Sequence, residues 1–305
     1  MMSAKVVDWG AAEVRLTERV SVLVGADAGK YPSGNSLLVR GDSESVIIDP
    51  SVTVVEHGGA PAPIDAVINS HGHEDHIAGN GLFATSRVHI HEQDRDALTS
   101  PDVMMDAYQL TGTDRDEFHH TLMTEFHFTA RPDAHGFTDG HRWELGGVAV
   151  EAVHLPGHTA GHSGFRIDGG VFFCSDIDLS GFGPYYGDTW SSLDQFEASL
   201  VKIRDEEADH YVTFHHKGII SGRDDFLGLL NDFHAVIDRR HRAMLDYLVE
   251  PHSVSEMAAH RFVYRPHVEH SFATAIERRT AQLHVERMLE RGEAHEVEPG
   301  RYRAT

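Results

Sequence analysis

Cysteine is nearly absent from this 305-residue sequence, which contains one, Cys174. A single cysteine cannot form a disulfide within the chain, and it excludes a zinc site built from thiolates. Long apolar runs are also missing, since no stretch approaches the roughly 18 apolar residues of a membrane-spanning helix. The first ten residues show no signal-peptide core. We therefore expect a globular protein with no membrane span, and the cytoplasm as its location.

Basic residues are few as well. Lysine and arginine number 26 against 48 acidic residues, which gives a formal net charge of −22. Such a field repels phosphate backbones, so nucleic acid is not expected as the main partner. Histidine, in contrast, occurs 25 times. Imidazole is a common ligand of transition metals, and the spacing of the histidines must decide whether a metal site exists.

Apolar patterns predict a mixed α/β chain with two parts. Short apolar or alternating runs, typical of strands, occupy residues 20–24, 35–40, 45–50, 63–70, 87–91, 143–145, 148–154, 164–167, 171–174 and 211–214. Helix-like spacing appears within 93–130 and 193–206, and then dominates after about residue 223, where three helices and a final hairpin are expected. We expect a catalytic domain over 1–222 and a small, mostly helical, winged-helix-like domain over 223–305.

One short segment carries the strongest chemical signal. His71-Gly72-His73-Glu74-Asp75-His76 directly follows a predicted buried strand. His71 and His73 are two residues apart, so an extended backbone points both side chains the same way. Asp75 and His76 then enter the next helix and can serve a second metal. The cluster predicts a metal site at a strand-to-helix turn.

Further ligand-type residues follow other predicted strands. Asp49 ends one strand, His158 lies in Pro-Gly-His-Thr after another, Asp176 follows Cys174, and the pair His215-His216 follows the last strand. Groups placed at strand ends converge on one edge of a sheet. Alternation points His215 and His216 in opposite directions, so only one of them can join the cluster.

Taken in order, these motifs resemble those of the metallo-β-lactamase superfamily of hydrolases over roughly residues 20–222. The resemblance implies an αββα sandwich with two divalent metal ions. It assigns one metal to His71, His73 and His158, the other to Asp75, His76 and His216, and a bridging position to Asp176. His216 is favoured over His215 because its surroundings match the family's last motif better. Asp49 is expected to orient a ligand by a hydrogen bond.

The residue types then predict a mechanism. Two metals can share a water and deprotonate it near neutral pH, and the bridging hydroxide attacks the substrate. Asp75 would both ligate a metal and orient the hydroxide. His73 occupies a position where redox-active di-iron relatives carry glutamate, which favours hydrolysis. An imidazole-rich site suits zinc, although iron and manganese stay open.

The segment 180–188 follows the bridging aspartate and is rich in glycine and aromatic residues. Tyr185 or Tyr186 could donate a hydrogen bond to a substrate oxygen, and the alternative is a loop whose aromatic rings only pack. His154 and His162 are expected to have structural roles. Cys174 lies in an apolar strand and is expected to be a buried, unreactive side chain.

Three functions compete for this sequence. We favour hydrolysis of a small ester, thioester or lactone, and the alternative within the family is an RNA endonuclease that holds RNA with its tail. The predicted wing, 293–298, contains three glutamates and no lysine or arginine, which disfavours RNA. We expect a solvated or dimer-forming helical face that carries the arginines at 239, 240, 242, 278, 279 and 287. A homodimer is therefore possible on this sequence. A regulatory module with a dead site is disfavoured because every ligand position is filled.

Overall fold

The computed structural model describes residues 4–268 and 270–305. These residues form the strands β1 (Lys5–Val6), β2 (Glu13–Arg15), β3 (Val20–Leu23), β4 (Ser36–Arg40), β5 (Ser45–Ile48), β6 (Gly59–Ala60), β7 (Ala66–Ile68), β8 (Arg87–His91), β9 (His135–Phe137), β10 (Arg142–Glu144), β11 (Ala149–His154), β12 (Ser163–Ile167), β13 (Val171–Ser175), β14 (His210–Thr213), β15 (Ile219–Ser221), β16 (His252–Ser253), β17 (Ala294–Glu298) and β18 (Arg301–Ala304).

The same residues form the helices α1 (Ala26–Gly29), α2 (Val52–His57), α3 (Glu74–Ile77), α4 (Pro101–Ala107), α5 (Gly112–Thr124), α6 (Leu193–Lys202), α7 (Arg223–Tyr247), α8 (Val254–His260) and α9 (Ala273–Arg291). Short 3-10 helices cover Gly10–Ala12, Ala78–Phe83, Glu92–Leu98 and Ile203–Asp205. No helix in the described part of the chain is both apolar enough and long enough to cross a bilayer.

Two sheets face each other at the centre of the molecule. One has the strand order β2-β3-β4-β5-β7-β8-β9 and the other the order β10-β11-β12-β13-β14-β15. Alternation along β4 explains the layering: Leu37 and Val39 point between the sheets, whereas Leu38 points to the helical side. Helices cover both outer faces, with α4 and α5 on the first sheet and α6 and α7 on the second. This arrangement confirms the predicted αββα sandwich.

The last part of the chain adds α8, α9 and a three-stranded sheet of order β16-β18-β17. Ser253 and Glu256 cap the start of α8 reciprocally, as their spacing predicts. A small core joins the end of α7 to α8 and α9. The first half of α7 packs on the second sheet, however, and Phe272 and Ile276 join the core beside the first sheet. The boundary at residue 222 and the winged-helix likeness therefore stay predictions.

Candidate metal centre and active-site cavity

The histidine motif lies where β7 leaves the first sheet. β7 pairs in parallel with β5 and β8, so its carboxyl end meets theirs at one edge. His71 and His73 follow the strand, with His73 in extended backbone, and α3 begins at Glu74. Gly72 between them is required by packing, because a Cβ there would lie 2.4 Å from the Cβ of Ala97. The motif is therefore pressed against the 3-10 helix Glu92–Leu98 and is fully buried.

Three histidine nitrogens converge on one point. The Nε2 of His71 lies 3.0 Å from the Nδ1 of His73 and 3.1 Å from the Nε2 of His158. The Nδ1 of His73 lies 2.9 Å from the Nε2 of His158. Ligand nitrogens around a tetrahedral zinc with bonds of about 2.0–2.1 Å are about 3.3 Å apart. The spacing of the three rings is therefore close to that of a bound metal.

A second group lies beside the first. The Nε2 of His215 is 2.9 Å from the Oδ2 of Asp75, and the Nε2 of His76 is 2.9 Å from the Oδ1 of Asp176. The other oxygen of Asp176 is 3.2 Å from the Nε2 of His158. Asp176 thus reaches both groups, the position expected for a bridging carboxylate.

The outward nitrogens explain why the inward ones are free to bind a metal. Each ring places its outer nitrogen within hydrogen-bond distance of an oxygen, a geometry that orients the ring and suits an N–H on that side and a metal on the nitrogen that faces the cluster. The acceptors are the Ser70 hydroxyl for His71, Asp188 for His73, Asp49 for His76, the Tyr185 carbonyl for His158 and the Gly29 carbonyl for His215.

Buried polar atoms inside the second group have no hydrogen bond to any residue that the structure describes. These atoms are the Oδ2 of Asp75, the Nε2 of His76 and the Oδ1 of Asp176, although other ligand-type atoms lie within 3 Å of them. Leaving buried polar atoms unsatisfied costs about 1–3 kcal/mol each. Nitrogen lone pairs and carboxylate oxygens that converge in this way fit two divalent cations, one per group.

The structure corrects the prediction for His216. β14 ends at Thr213, and the chain turns back immediately, with the amide of Lys217 donating to the carbonyl of His215. His216 sits in this turn with a φ of 55° and an exposed side chain. His215 is buried and faces Asp75 instead. The tight turn, which the motif comparison did not include, decides which of the two adjacent rings points inward.

Asp49 lies where the sequence places it, at the end of β5. Its carboxylate accepts hydrogen bonds from the amide and hydroxyl of Ser70 and from the Nδ1 of His76. Burial raises the pKa of Asp49, and the contacts with His76 and Ser70 oppose that rise. The residue therefore holds both the turn before the motif and one of its rings.

Asp188 was not singled out by the sequence. Its buried carboxylate accepts a hydrogen bond from the Nε2 of His73 at 2.9 Å and further ones from Trp190 and Ser191. Burial lowers the pKa of His73, but the hydrogen bond and charge of Asp188 outweigh it and raise that pKa to about 9. Asp188 ends the glycine-rich segment 180–188, which was the sequence signal that could have pointed to it.

The two tyrosines of that segment have different surroundings. Tyr185 lies beside the histidines, with its ring centroid 5.3 Å from that of His158. Among the described residues its buried hydroxyl has no hydrogen-bond partner. Tyr186 points the other way, where its hydroxyl is 3.0 Å from the Nε2 of His284 on α9. The structure thus corrects the prediction for Tyr186, which packs against the tail rather than facing the cavity.

His162 and Cys174 have the structural surroundings expected of them. The ring of His162 donates to the carbonyl of Leu155 and accepts from the amide of Asp176. Burial lowers its pKa to about 3, so the ring stays neutral. Cys174 is buried in β13, and burial raises the pKa of its thiol.

A cavity of about 290 Å³ opens over both groups of ligands. Tyr31, Tyr108 and Tyr185 line its inner part, and the segment between α8 and α9 contributes Tyr264 and Phe272 to its outer part. The sequence did not predict that this segment reaches the site. Small-molecule sites usually measure about 300–1,000 Å³, so the cavity is near the lower end of that range.

Two of the six tail arginines predicted on a solvated face are used inside the molecule, whereas Arg239, Arg242 and Arg278 are exposed. Arg240 is buried and donates to the carbonyls of Phe182 and Pro184, and Arg287 is buried against Asp194 and Glu197. The prediction of a solvated face is therefore wrong for these two side chains. Their charges are engaged in holding the segment 180–188 and α6, and they are not available to a phosphate backbone.

Comparison with known proteins agrees with this geometry. The model of the metallo-beta-lactamase superfamily matches residues 30–248, well over half of the chain. A metallo-beta-lactamase family protein from Thermus thermophilus shares the fold with a TM-score of 0.72 and 21% identity, covering 95% of this chain and 100% of that one. A beta-lactamase domain protein from Burkholderia ambifaria has a TM-score of 0.66 and 17% identity, covering 97% and 95%.

Two curated relatives are named hydroxyacylglutathione hydrolase. The protein of Aeromonas hydrophila subsp. hydrophila is 25% identical over 208 residues, 66% of this chain and 68% of that protein. The protein of Aeromonas salmonicida is 25% identical over 149 residues, 47% of this chain and 46% of that protein. The match therefore spans less than half the length of the second relative.

Proposed function

The chain belongs to the metallo-β-lactamase superfamily and is a hydrolase of that family, and we propose that it cleaves a small ester, thioester or lactone with two divalent metal ions. The observation that carries the proposal is the set of inward-facing ligand atoms beneath a small cavity. One metal would be held by His71, His73 and His158, and the other by Asp75, His76 and His215, with Asp176 between them.

Bound metals would supply a water of lowered pKa and polarise the scissile carbonyl. Asp75 lies at the cavity floor, where one oxygen can hold a metal and the carboxylate can accept a hydrogen bond from the attacking water. The Tyr185 hydroxyl, which meets the geometric criteria for a hydrogen bond with none of the described residues, can donate to the oxygen that becomes negative in the transition state. Water adds to the acyl carbon, the carbon–oxygen or carbon–sulfur bond breaks, and the leaving group takes up a proton.

Zinc is the metal that we propose for this site, since five of its seven ligand side chains are imidazoles. The cytoplasm is the proposed location because the one cysteine is buried and unpaired. An RNA substrate is not proposed, because Arg240 and Arg287 are engaged internally and the formal net charge of −22 repels a phosphate backbone. The homodimer stays a prediction.

The proposal is tested by turnover of acyl thioesters, aryl esters and lactones with the zinc-loaded protein, using Asp75→Asn and a chelator-treated sample as controls. We expect hydrolysis that both controls abolish. A single-stranded RNA serves as the competing substrate. Cleavage of RNA alone, lost in Asp75→Asn, would replace the proposed function by the nuclease. Bound zinc with no turnover of any acyl substrate would also reject it.

A further inference from the structure

Aromatic side chains that are not metal ligands form much of the cavity wall. Rings surround the space above the ligands and contact one another: the centroid of Phe272 lies 5.8 Å from that of Tyr108 and 6.3 Å from that of Tyr31. Tyr264 and Phe182, 5.6 Å apart, complete the outer rim. Aromatic rings bury large apolar areas and favour flat or branched apolar groups as their partners.

Positive charge is scarce in the same cavity. Of the described lysine and arginine side chains, Lys30 alone lines it, and Lys30 is exposed. Two carboxylates that are not needed as metal ligands, Glu74 and Asp178, also face the space. Glu74 is buried, and it accepts hydrogen bonds from the hydroxyls of Tyr31 and Tyr108. Away from the metal ligands at its floor, an anionic substrate group would lose hydration among aromatic rings and carboxylates, with the exposed Lys30 as the one lysine or arginine beside it in the described chain.

The outer wall comes from the tail and is held rigidly. Glu277 of α9 is fully buried, and its carboxylate accepts hydrogen bonds from the backbone amides of Phe262, Val263 and Tyr264 at 2.7–3.2 Å. Carboxylate hydrogen bonds of this kind are among the stronger ones in proteins. The segment that carries Tyr264 is therefore held in place against α9 and forms part of the cavity wall.

From these observations we infer that the hydrolase acts on uncharged substrates whose acyl or leaving group is apolar and compact, and that it discriminates against glutathione thioesters. S-substituted glutathione carries two carboxylates and one ammonium group, a net charge of −1, and outside the metal ligands the cavity offers its two carboxylates one exposed lysine beside Glu74 and Asp178. The inference rests on the proposed function, since it names the substrate class of the same site. It separates this chain from the activity named for the two Aeromonas proteins.

The test compares two thioesters with the same acyl group. Phenylacetyl-N-acetylcysteamine has an uncharged leaving group, and S-phenylacetylglutathione has an anionic one. For the zinc-loaded protein we expect kcat/KM at least tenfold higher for the uncharged thioester. Equal values, or a preference for the glutathione thioester, would overturn the inference.

A binding measurement keeps this result separate from the proposed function. S-benzyl-N-acetylcysteamine and S-benzylglutathione are thioethers that cannot be hydrolysed, and calorimetry gives their Kd values without turnover. Tighter binding of the uncharged thioether is expected. If neither thioester is hydrolysed, the proposed function fails, while the two Kd values still decide whether the cavity selects against anions.

Two matched variants locate the selectivity. Val268 lines the cavity and is half-buried, so Val268→Lys adds a positive charge to its rim. Val201 on α6 lies outside the cavity and is 57% exposed, so Val201→Lys is the control. Val268→Lys is expected to shift the ratio of the two Kd values about threefold to fivefold towards the glutathione compound. An equal shift in both variants would show that overall charge, and not the cavity, sets the preference.

Discussion

Replacing Asp188 by asparagine tests whether one buried carboxylate sets the tautomer of a metal ligand. The change keeps the size of the side chain and one oxygen for Trp190 and Ser191. It places an amide NH₂ opposite the Nε2–H of His73, where the carboxylate stood at 2.9 Å. The ring must then rotate or move its proton to Nδ1, which is the atom that faces His71 and His158.

The size of the effect follows from that single contact. A hydrogen bond involving a charged group contributes about 1.5–3 kcal/mol, and each 1.4 kcal/mol is a factor of ten. We therefore expect metal affinity to fall about 10–100-fold, the range typical for groups that orient metal-bound histidines. Competition for zinc with a chromophoric chelator measures it directly.

Asp42→Asn is the control, since Asp42 pairs with Arg19 far from the site and its side chain is 71% exposed. Affinity in Asp188→Asn within twofold of the unmodified protein, with the fold intact by circular dichroism, would refute the assignment of His73 as a ligand held by Asp188.

Three further predictions follow from single contacts. His215→Ala is expected to lower the bound metal content and kcat at least 100-fold, because it removes a metal ligand, whereas His216→Ala should change both less than threefold. Metal analysis and steady-state kinetics measure the two quantities. The reverse pattern would identify His216 as the ligand. Burial lowers the pKa of His91 to about 4, below its unfolded value near 6.5, so the free energy of unfolding should fall as the pH drops from 6.5 to 4. In urea unfolding, His91→Gln should lose less free energy over this interval than the unmodified protein. An identical pH dependence of the two proteins would contradict this prediction. Glu277→Ala leaves three backbone amides without an acceptor and should lower the free energy of unfolding by about 3 kcal/mol in the same assay; a loss below about 0.5 kcal/mol would show that these bonds do not hold the wall.

Features governed by local rules could be predicted from the sequence. The pair Gly146-Gly147 adopts the positive φ values of a hairpin turn between β10 and β11, and Ser253 with Glu256 forms the expected capping box. The motif that starts at His71 lies at a strand end because a buried apolar run precedes it. In each case the residues that determine the structure are close together in the chain, so the local sequence is enough to predict it.

Features that depend on distant contacts could not be predicted. Adjacent rings at His215 and His216 are separated by the turn after β14, and one positive φ decides their directions. Tyr186 is drawn away from the cavity by His284, 98 residues later. Asp188 meets His73 across 115 residues. Residue type alone made Tyr185 and Tyr186 equivalent, and only packing against the tail distinguishes them.

The tail and the metal centre are coupled through the segment 180–188. Arg240 of α7 donates to the carbonyls of Phe182 and Pro184, and Arg279 of α9 donates to the carbonyl of Asp188. The same segment supplies the carboxylate on His73 and the carbonyl that accepts from His158. Losing a buried hydrogen bond to such a group costs about 1–3 kcal/mol. Changes in the tail that displace this segment should therefore alter metal affinity and substrate choice together, because one stretch of backbone holds both.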